Sequence, residues 1–174
     1  MRTEEIVFVG TARGIARPVV VEPLRAGIPV RVYGPDWRGY IPASAIAAAG
    51  IANDRLPGLY ERAAVVLNDH WPAMRREGFV SNRLFDVVAA GGRALSDDVA
   101  GIEEIFGEAV RTFTDIDELI SMLQGDLVAL FGPADEMVAR GDRIRQEHSF
   151  DARAHTLIAA VMRRAAQSVA GGPP

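Results

Sequence analysis

EGFVSNRLFDVVAAGGRALSDDVAG, running from Glu77 to Gly101, decides how the chain is to be read. An acid, Gly78 and Phe79 lead to Ser81, whose hydroxyl stands where a helix can start. Leu84, Phe85, Val87 and Val88 recur at the spacing of a buried helix face, and Gly91 with Gly92 stops the helix. A short strand is predicted at Arg93 to Ser96, before the acidic pair Asp97 and Asp98. Helix N-termini carry backbone N–H groups without intrahelical partners and a partial positive charge, so this loop–helix–loop–strand unit offers a place for a diphosphate.

Outward from this unit the chain alternates strands and helices. Ile6 to Gly10 (IVFVG) and Val65 to Asn68 (VVLN) are short apolar runs of the kind covered on both faces of a parallel sheet, and Val30 to Tyr33, closed by Gly34 and Pro35, makes a second strand. Pro18 begins a helix through about Ala26 with Gly27 as its stop, so a right-handed βαβ unit is expected. Ala43 to Ala49 reads equally as a helix or as a loop and a short strand. A helix is predicted over Leu56 to Ala64 and a last strand over Ala109 to Phe113. Asp115 with Glu118 makes a capping-box-like start for a helix from Ile116 to Leu130, bent at Gly125. Further helices are predicted from Pro133 to about Glu147 and from Phe150 to about Gln167, with a frayed tail at 170–174. The fold class is α/β, a Rossmann-like three-layer α/β/α arrangement in one domain over 1–174, with a mostly parallel sheet.

Composition narrows the chemistry. The 174 residues hold no cysteine, which excludes thiol nucleophiles, disulfides and Cys-ligated metals. A net charge of -4 gives no general attraction to nucleic acid. No apolar run is long enough to cross a bilayer, and the first residues lack a signal-peptide pattern, so a cytoplasmic location is expected. All 19 basic residues are arginine. A Walker-type lysine, a Schiff-base lysine and the lysine of a receiver domain are therefore excluded, although GC-rich coding bias accounts for the pattern as well. Gly10 to Gly14 does not supply the Gly-x-Gly-x-x-Gly of a dinucleotide dehydrogenase.

The longer segment EGFVSNRLFDVVAAGGRALSDDVAGIEEIFG, Glu77 to Gly107, resembles the nucleotide-sugar motif of GT-B glycosyltransferases. There an acid, a Gly- and Phe-containing loop and a second acid on a helix precede a small-residue turn and a strand. NDHW at Asn68 to Trp71, SNRLFD at Ser81 to Asp86 and EHSFDARA at Glu147 to Ala154 are similar to the branch named after the spore-maturation protein CgeB. The resemblance implies the C-terminal, donor-binding half of a GT-B fold. Its ligand would be a nucleotide-diphosphate sugar, and its activity hexosyl transfer to an unknown acceptor. It implies no metal and no other cofactor. It also implies a missing N-terminal acceptor domain or partner subunit, without which the chain would be inactive or weakly active. The Glu77 to Asp86 gap is one residue longer than the family's commonest spacing, and the family's diphosphate-binding pair includes a lysine that this chain lacks.

On that resemblance, Glu77 contacts the transferred sugar alongside the peptide groups of Gly78, Phe79 and Val80, and Asp86 accepts hydrogen bonds from the ribose. Ser81 and the N–H groups of Asn82 and Arg83 suit the diphosphate, with Arg13, Arg17 and the Arg83 side chain as guanidinium partners. His70, just past a strand end where open α/β sheets place ligands, is a catalytic candidate beside Glu77. Each residue also has a plainer reading. Arg83 suits a solvated first turn, Glu77 a loop acid beside Arg75 and Arg76, Asp86 a surface acid and His70 a hydrogen-bonded structural histidine. Tyr33, Trp37 and Tyr60 read as packing residues. A non-catalytic nucleotide-sugar-binding or protein-interaction module on the same fold is the alternative function.

Overall fold

The structure is a computed structural model; it describes Thr3 and residues 5–170, apart from the side chains of Ala134 and 168–170. Six strands form one sheet: β1 (Ile6–Val9), β2 (Val30–Tyr33), β3 (Ile46–Ala48), β4 (Val65–Asn68), β5 (Ala94–Asp97) and β6 (Val110–Phe113). Their order is β3-β2-β1-β4-β5-β6, and every pairing between them is parallel. The order reverses between β1 and β4, and in open α/β sheets that is where ligands lie, outside the carboxyl ends of the strands.

Alternation along the strands divides the core into two layers. Phe8, Val32, Leu67 and Leu95 face one side, where they meet Val20 of helix α1 (Pro18–Arg25). Val7, Val66, Ala94 and Val110 face the other and are covered by helix α2 (Leu56–Arg62) and its Tyr60. A short helix α3 (Pro72–Arg76) follows β4, and α4 (Asn82–Ala89) adds Leu84, Val87 and Val88 to the second layer. Ile102 and Phe106 of α5 (Ile102–Phe106) complete that layer. Leu119 of α6 (Ile116–Gln124) and Phe131 of α7 (Leu127–Phe131) close the first. Burying such side chains, each worth about 1.5–3 kcal/mol, is what holds helices this short against the sheet.

Two local expectations are revised, one open reading is resolved and one holds. Ala43 to Ala49 is a 3-10 turn (Ala43–Ala45) followed by β3, the second of its two readings. The strand expected at Arg93 to Ser96 lies one residue later, which puts Asp97 inside it and buries its side chain. The single helix bent at Gly125 is two helices. Asp126 caps the second by accepting from the N–H groups of Val128 and Ala129, so a fresh N-terminus replaces the bend. The capping reading of Asp115 holds: its carboxylate accepts from Glu118 N–H at 2.9 Å.

Helix α8 (Ala134–His148) packs on α4, and α9 (Phe150–Ala170) extends from its end. Phe150 is 90% exposed, and Leu157, Ile158, Val161 and Met162 recur at helical spacing along an exposed face. Of the tail expected at 170–174, Ala170 is the last residue of α9 and the rest lies outside the described residues. Among the described residues no helix is long and apolar enough to cross a membrane.

Candidate functional site

The carboxyl ends of β1 and β4 meet around one aromatic ring. Phe8 is fully buried and receives the edge of Trp37, with centroids 5.4 Å apart. The guanidinium of Arg17 lies 4.6 Å from its ring centroid and that of Arg83 4.8 Å. A ring face attracts cations, so Phe8 draws two like charges together at the end of β1.

The two arginines differ in what they leave free. Arg17 is buried; its Nε donates to Asp69 Oδ2 at 2.9 Å, its Nη2 pairs with Asp69 Oδ1 and its Nη1 donates to Thr11 O at 3.0 Å. Three of its five N–H donors are engaged in this way, and the guanidinium holds Asp69 and the β1 loop in place. Arg83 does not extend into solvent from the first turn of α4. It turns inward, and its Nη1 donates to Asn68 Oδ1 at 2.8 Å. Asn68 in turn donates to Ser96 Oγ at 2.9 Å. Burial is the main cause that lowers the Arg83 pKa to about 10; Arg17 and Arg13 lower it further, while Tyr60 and Asp69 oppose the shift.

Glycines make room for this packing. A Cβ on Gly10 would lie 2.9 Å from Arg83 Nη2 and 3.2 Å from the Phe8 ring. A Cβ on Gly34 would lie 2.1 Å from the carbonyl oxygen of Gly10, which also accepts from Trp37 Nε1 at 2.7 Å. Neither position has space for a side chain.

The loop after β1 places the third arginine. Thr11 Oγ1 donates to Asp36 Oδ2 and accepts from the Arg13 N–H, and Arg13 takes a left-handed φ of +61°. That conformation costs a non-glycine residue about 1 kcal/mol. It sets the Arg13 guanidinium 4.5 Å from the ring centroid of Trp71. Burial lowers the pKa of Arg13, and the nearby Arg17 charge adds to the effect.

His70 has both ring nitrogens engaged. Its side chain is fully buried. Nδ1 lies 2.6 Å from Asp97 Oδ1, its backbone N–H donates to the same carboxylate, and Nε2 accepts from Ser81 N–H at 2.9 Å. An Nε2 that accepts puts the ring proton on Nδ1. His70 thus ties the end of β5 to the start of α4, which matches its structural reading. Ser81 stands at the helix N-cap, but its hydroxyl makes no capping bond. The N–H groups of Asn82 and Arg83 belong to the first turn and have no intrahelical acceptor.

The remaining sequence candidates lie apart from this cluster. Glu77 ends α3, is exposed and accepts from Arg76 Nε at 3.0 Å. Gly78 has a φ of +68° with open space around it, so backbone shape accounts for glycine there, and Phe79 is 64% exposed. Asp86 lines a separate cavity of about 550 Å³ with Tyr60, Leu56 and Arg145. Burial raises its pKa, and Arg83 opposes that shift. A cleft of about 360 Å³ opens on the other side of Arg17, lined by Arg13, Trp71, Arg75, Asp97 and residues of α1, β6 and α6. Sequence reasoning marked Asn68 to Trp71 through the NDHW resemblance and their place after β4, and gave Arg75, Asp97 and Gly10 no role. A further signal was the unbroken run of polar and aromatic residues from Asn68 to Trp71 behind three buried apolar ones.

The model of a family described as glycosyl transferase-like matches residues 17–159. Comparison with curated proteins finds no significant match. Among solved structures the chain is similar to one in the GtfA/B complex, at TM-score 0.58 and 15% identity, covering 94% of this chain and 37% of that one. It is also similar to AviGT4, a glycosyltransferase involved in avilamycin A biosynthesis, at TM-score 0.46 and 17% identity over 83% of this chain and 51% of that one. A third is the glycosyltransferase of kitacinnamycin, at TM-score 0.48 and 14% identity over 91% and 43%. The chain spans about half the length of these proteins or less. At such identities the likeness concerns the fold.

Proposed function

Because the chain belongs to the glycosyl transferase-like family, we propose that it is the donor-binding, C-terminal half of a GT-B glycosyltransferase, of the CgeB-like branch, acting in the cytoplasm. Its ligand is a nucleotide-diphosphate sugar, and the transferred group a hexose. The observation that carries this reading is the gathering of Arg13, Arg17 and Arg83 with the α4 N-terminus at the reversal point of the sheet. Asp69 offsets one of the three positive charges. The surplus matches the two negative charges of a diphosphate.

Each residue then has a task. Arg13 and Arg83 take the phosphate oxygens together with the N–H groups of Asn82 and Arg83 and the hydroxyl of Ser81. Arg17 and His70 act on the ligand through others. The first aims Asp69 and the β1 loop, and the second holds the α4 N-terminus against β5. Asp86, one turn along α4, accepts from the ribose. Glu77, Gly78 and Phe79 form the exposed rim towards the sugar. Guanidinium groups and the helix terminus stabilise the leaving diphosphate as its charge develops, so no metal ion enters this reading. Transfer itself needs an acceptor-binding half, and the unpartnered apolar face of α9 supports one.

Calorimetric titration with UDP-, GDP- and dTDP-sugars tests the reading. We expect one base to bind, with equal affinity in EDTA, and Arg13→Ala and Asp86→Ala to weaken it about tenfold. If no donor binds at millimolar concentration, the donor-binding reading is wrong.

A further inference from the structure

Past Asp69 the cleft continues towards the ends of β5 and β6, and its chemistry changes from cationic to mixed. We propose that this part is a pyranose subsite with Trp71 as its stacking platform, so that Trp71 governs which sugar ring is accepted; the inference rests on the donor-binding reading above. The two tryptophans are used differently. Trp37 is buried against Phe8, whereas Trp71 is 39% exposed at the cleft. Pro72 follows it as the first residue of α3, and the Arg13 guanidinium braces the ring. A fixed, half-open indole loses little freedom when a ligand packs on it.

The walls around Trp71 present two kinds of surface. Val19, Phe113 and Ile116 give an apolar side. Asp97 and Arg75 give a polar one, and their pairing is incomplete: Arg75 Nε stands 3.6 Å from Asp97 Oδ2, beyond hydrogen-bond distance. A hydroxyl between them can donate to the carboxylate and accept from the guanidinium. Asp115 lines the same cleft; one carboxylate oxygen accepts from Glu118 N–H, and the other has acceptor capacity left. A pyranose has an apolar face of C–H groups and a rim of hydroxyls, each both donor and acceptor. It uses every surface here. A flat nucleobase would leave the Arg75–Asp97 gap unfilled. The cleft, at about 360 Å³, is within the size range of small-molecule sites.

Nuclear magnetic resonance of the two indole N–H groups, assigned with Trp71→Phe, separates sugar from nucleotide. Methyl glucoside, galactoside and mannoside are titrated as sugar-only probes, and UDP, GDP and dTDP as nucleotide-only probes. At least one glycoside should shift the Trp71 signal and leave that of Trp37 in place. The corresponding sugar nucleotide should bind more tightly than its bare nucleotide. Trp71→Ala should remove about three- to tenfold of that gain, read as the ratio of sugar-nucleotide to nucleotide affinity so that any change at the stacked Arg13 cancels. Silence of the Trp71 signal towards every glycoside and sugar nucleotide overturns the proposal, as does a gain that survives Trp71→Ala. If glycosides shift Trp71 while no nucleotide binds, the sugar subsite stands and the donor-binding reading falls. If nucleotides bind while neither glycosides nor sugar nucleotides move Trp71, the nucleotide site stands and the sugar subsite falls.

Discussion

Replacing Arg83 with methionine separates what this residue does for the fold from what it does for a ligand. Burial lowers its pKa from the ordinary arginine value to about 10. At 1.36 kcal/mol per pKa unit, the folded state holds this charge at a penalty of about 3 kcal/mol. The sign follows from proton binding. From about pH 10 up to the ordinary arginine pKa the unfolded chain binds the proton more firmly, so stability contributed by this group rises across that window, and the whole penalty applies at pH 7. Methionine removes the penalty. It also removes the ring contact with Phe8, about 1 kcal/mol, and leaves Asn68 Oδ1 buried without its donor, about 1–3 kcal/mol. Gains and losses nearly cancel. Urea unfolding should place Arg83→Met within about 1 kcal/mol of the parent, a shift of roughly 2–4 °C in Tm. Affinity for the nucleoside diphosphate should meanwhile fall by about 1.5–3 kcal/mol, the value of a charge-assisted hydrogen bond. Arg83 is a structural residue, and the reasoning is refuted, if the variant loses about 4 kcal/mol or more of stability while its nucleotide affinity holds.

Gly34→Ala, whose Cβ would meet the Gly10 carbonyl at 2.1 Å, should destabilise by about 3–5 kcal/mol in urea unfolding. Gly10→Ala meets mainly the movable end of Arg83, so it should destabilise less and show its effect in nucleotide affinity. His70→Ala leaves the buried Asp97 without its ring partner. It should lower stability by about 1–3 kcal/mol and speed hydrogen exchange at the Ser81 amide, whereas unchanged Ser81 protection would show that α4 is held by other means. Asp126→Ala should cost about 1 kcal/mol in thermal unfolding, through loss of the cap on α7. Leu157→Glu with Val161→Glu should leave the unfolding free energy within about 0.5 kcal/mol of the parent in urea unfolding. A large loss of stability would mean that α9 is already packed.

The sheet was legible at β1 and β4 because IVFV and VVLN are short apolar runs of the kind buried on both sides. The helix starts at Pro18 and Asp115 were legible because proline and capping chemistry act over neighbouring residues, whereas Ser81 marks the start of α4 without making a capping bond. What sequence reasoning missed lies at longer range. Arg17 meets Asp69 and His70 meets Asp97 across 52 and 27 positions, and no local pattern announces either pair. The inward turn of Arg83 depends on Gly10, just past β1, leaving room for its guanidinium. The strand at β5 was placed one residue early because Asp97, an acid, reads as loop. Its burial becomes intelligible only once His70 supplies its partner.

The strand order also bears on how the sheet is put together in time. β1 is the first described strand in the sequence, and it pairs with β2 on one side and β4 on the other. The first half, β1 to β3, can assemble from neighbouring segments. β4 can dock only against an edge that β1 keeps open until some sixty residues have followed it. Until then Val7 and Phe8 hold an unpaired, apolar flank exposed, and a competing chain can reach it first. The strand whose Phe8 gathers Arg17 and Arg83 is therefore also the one whose edge stays open to mispairing.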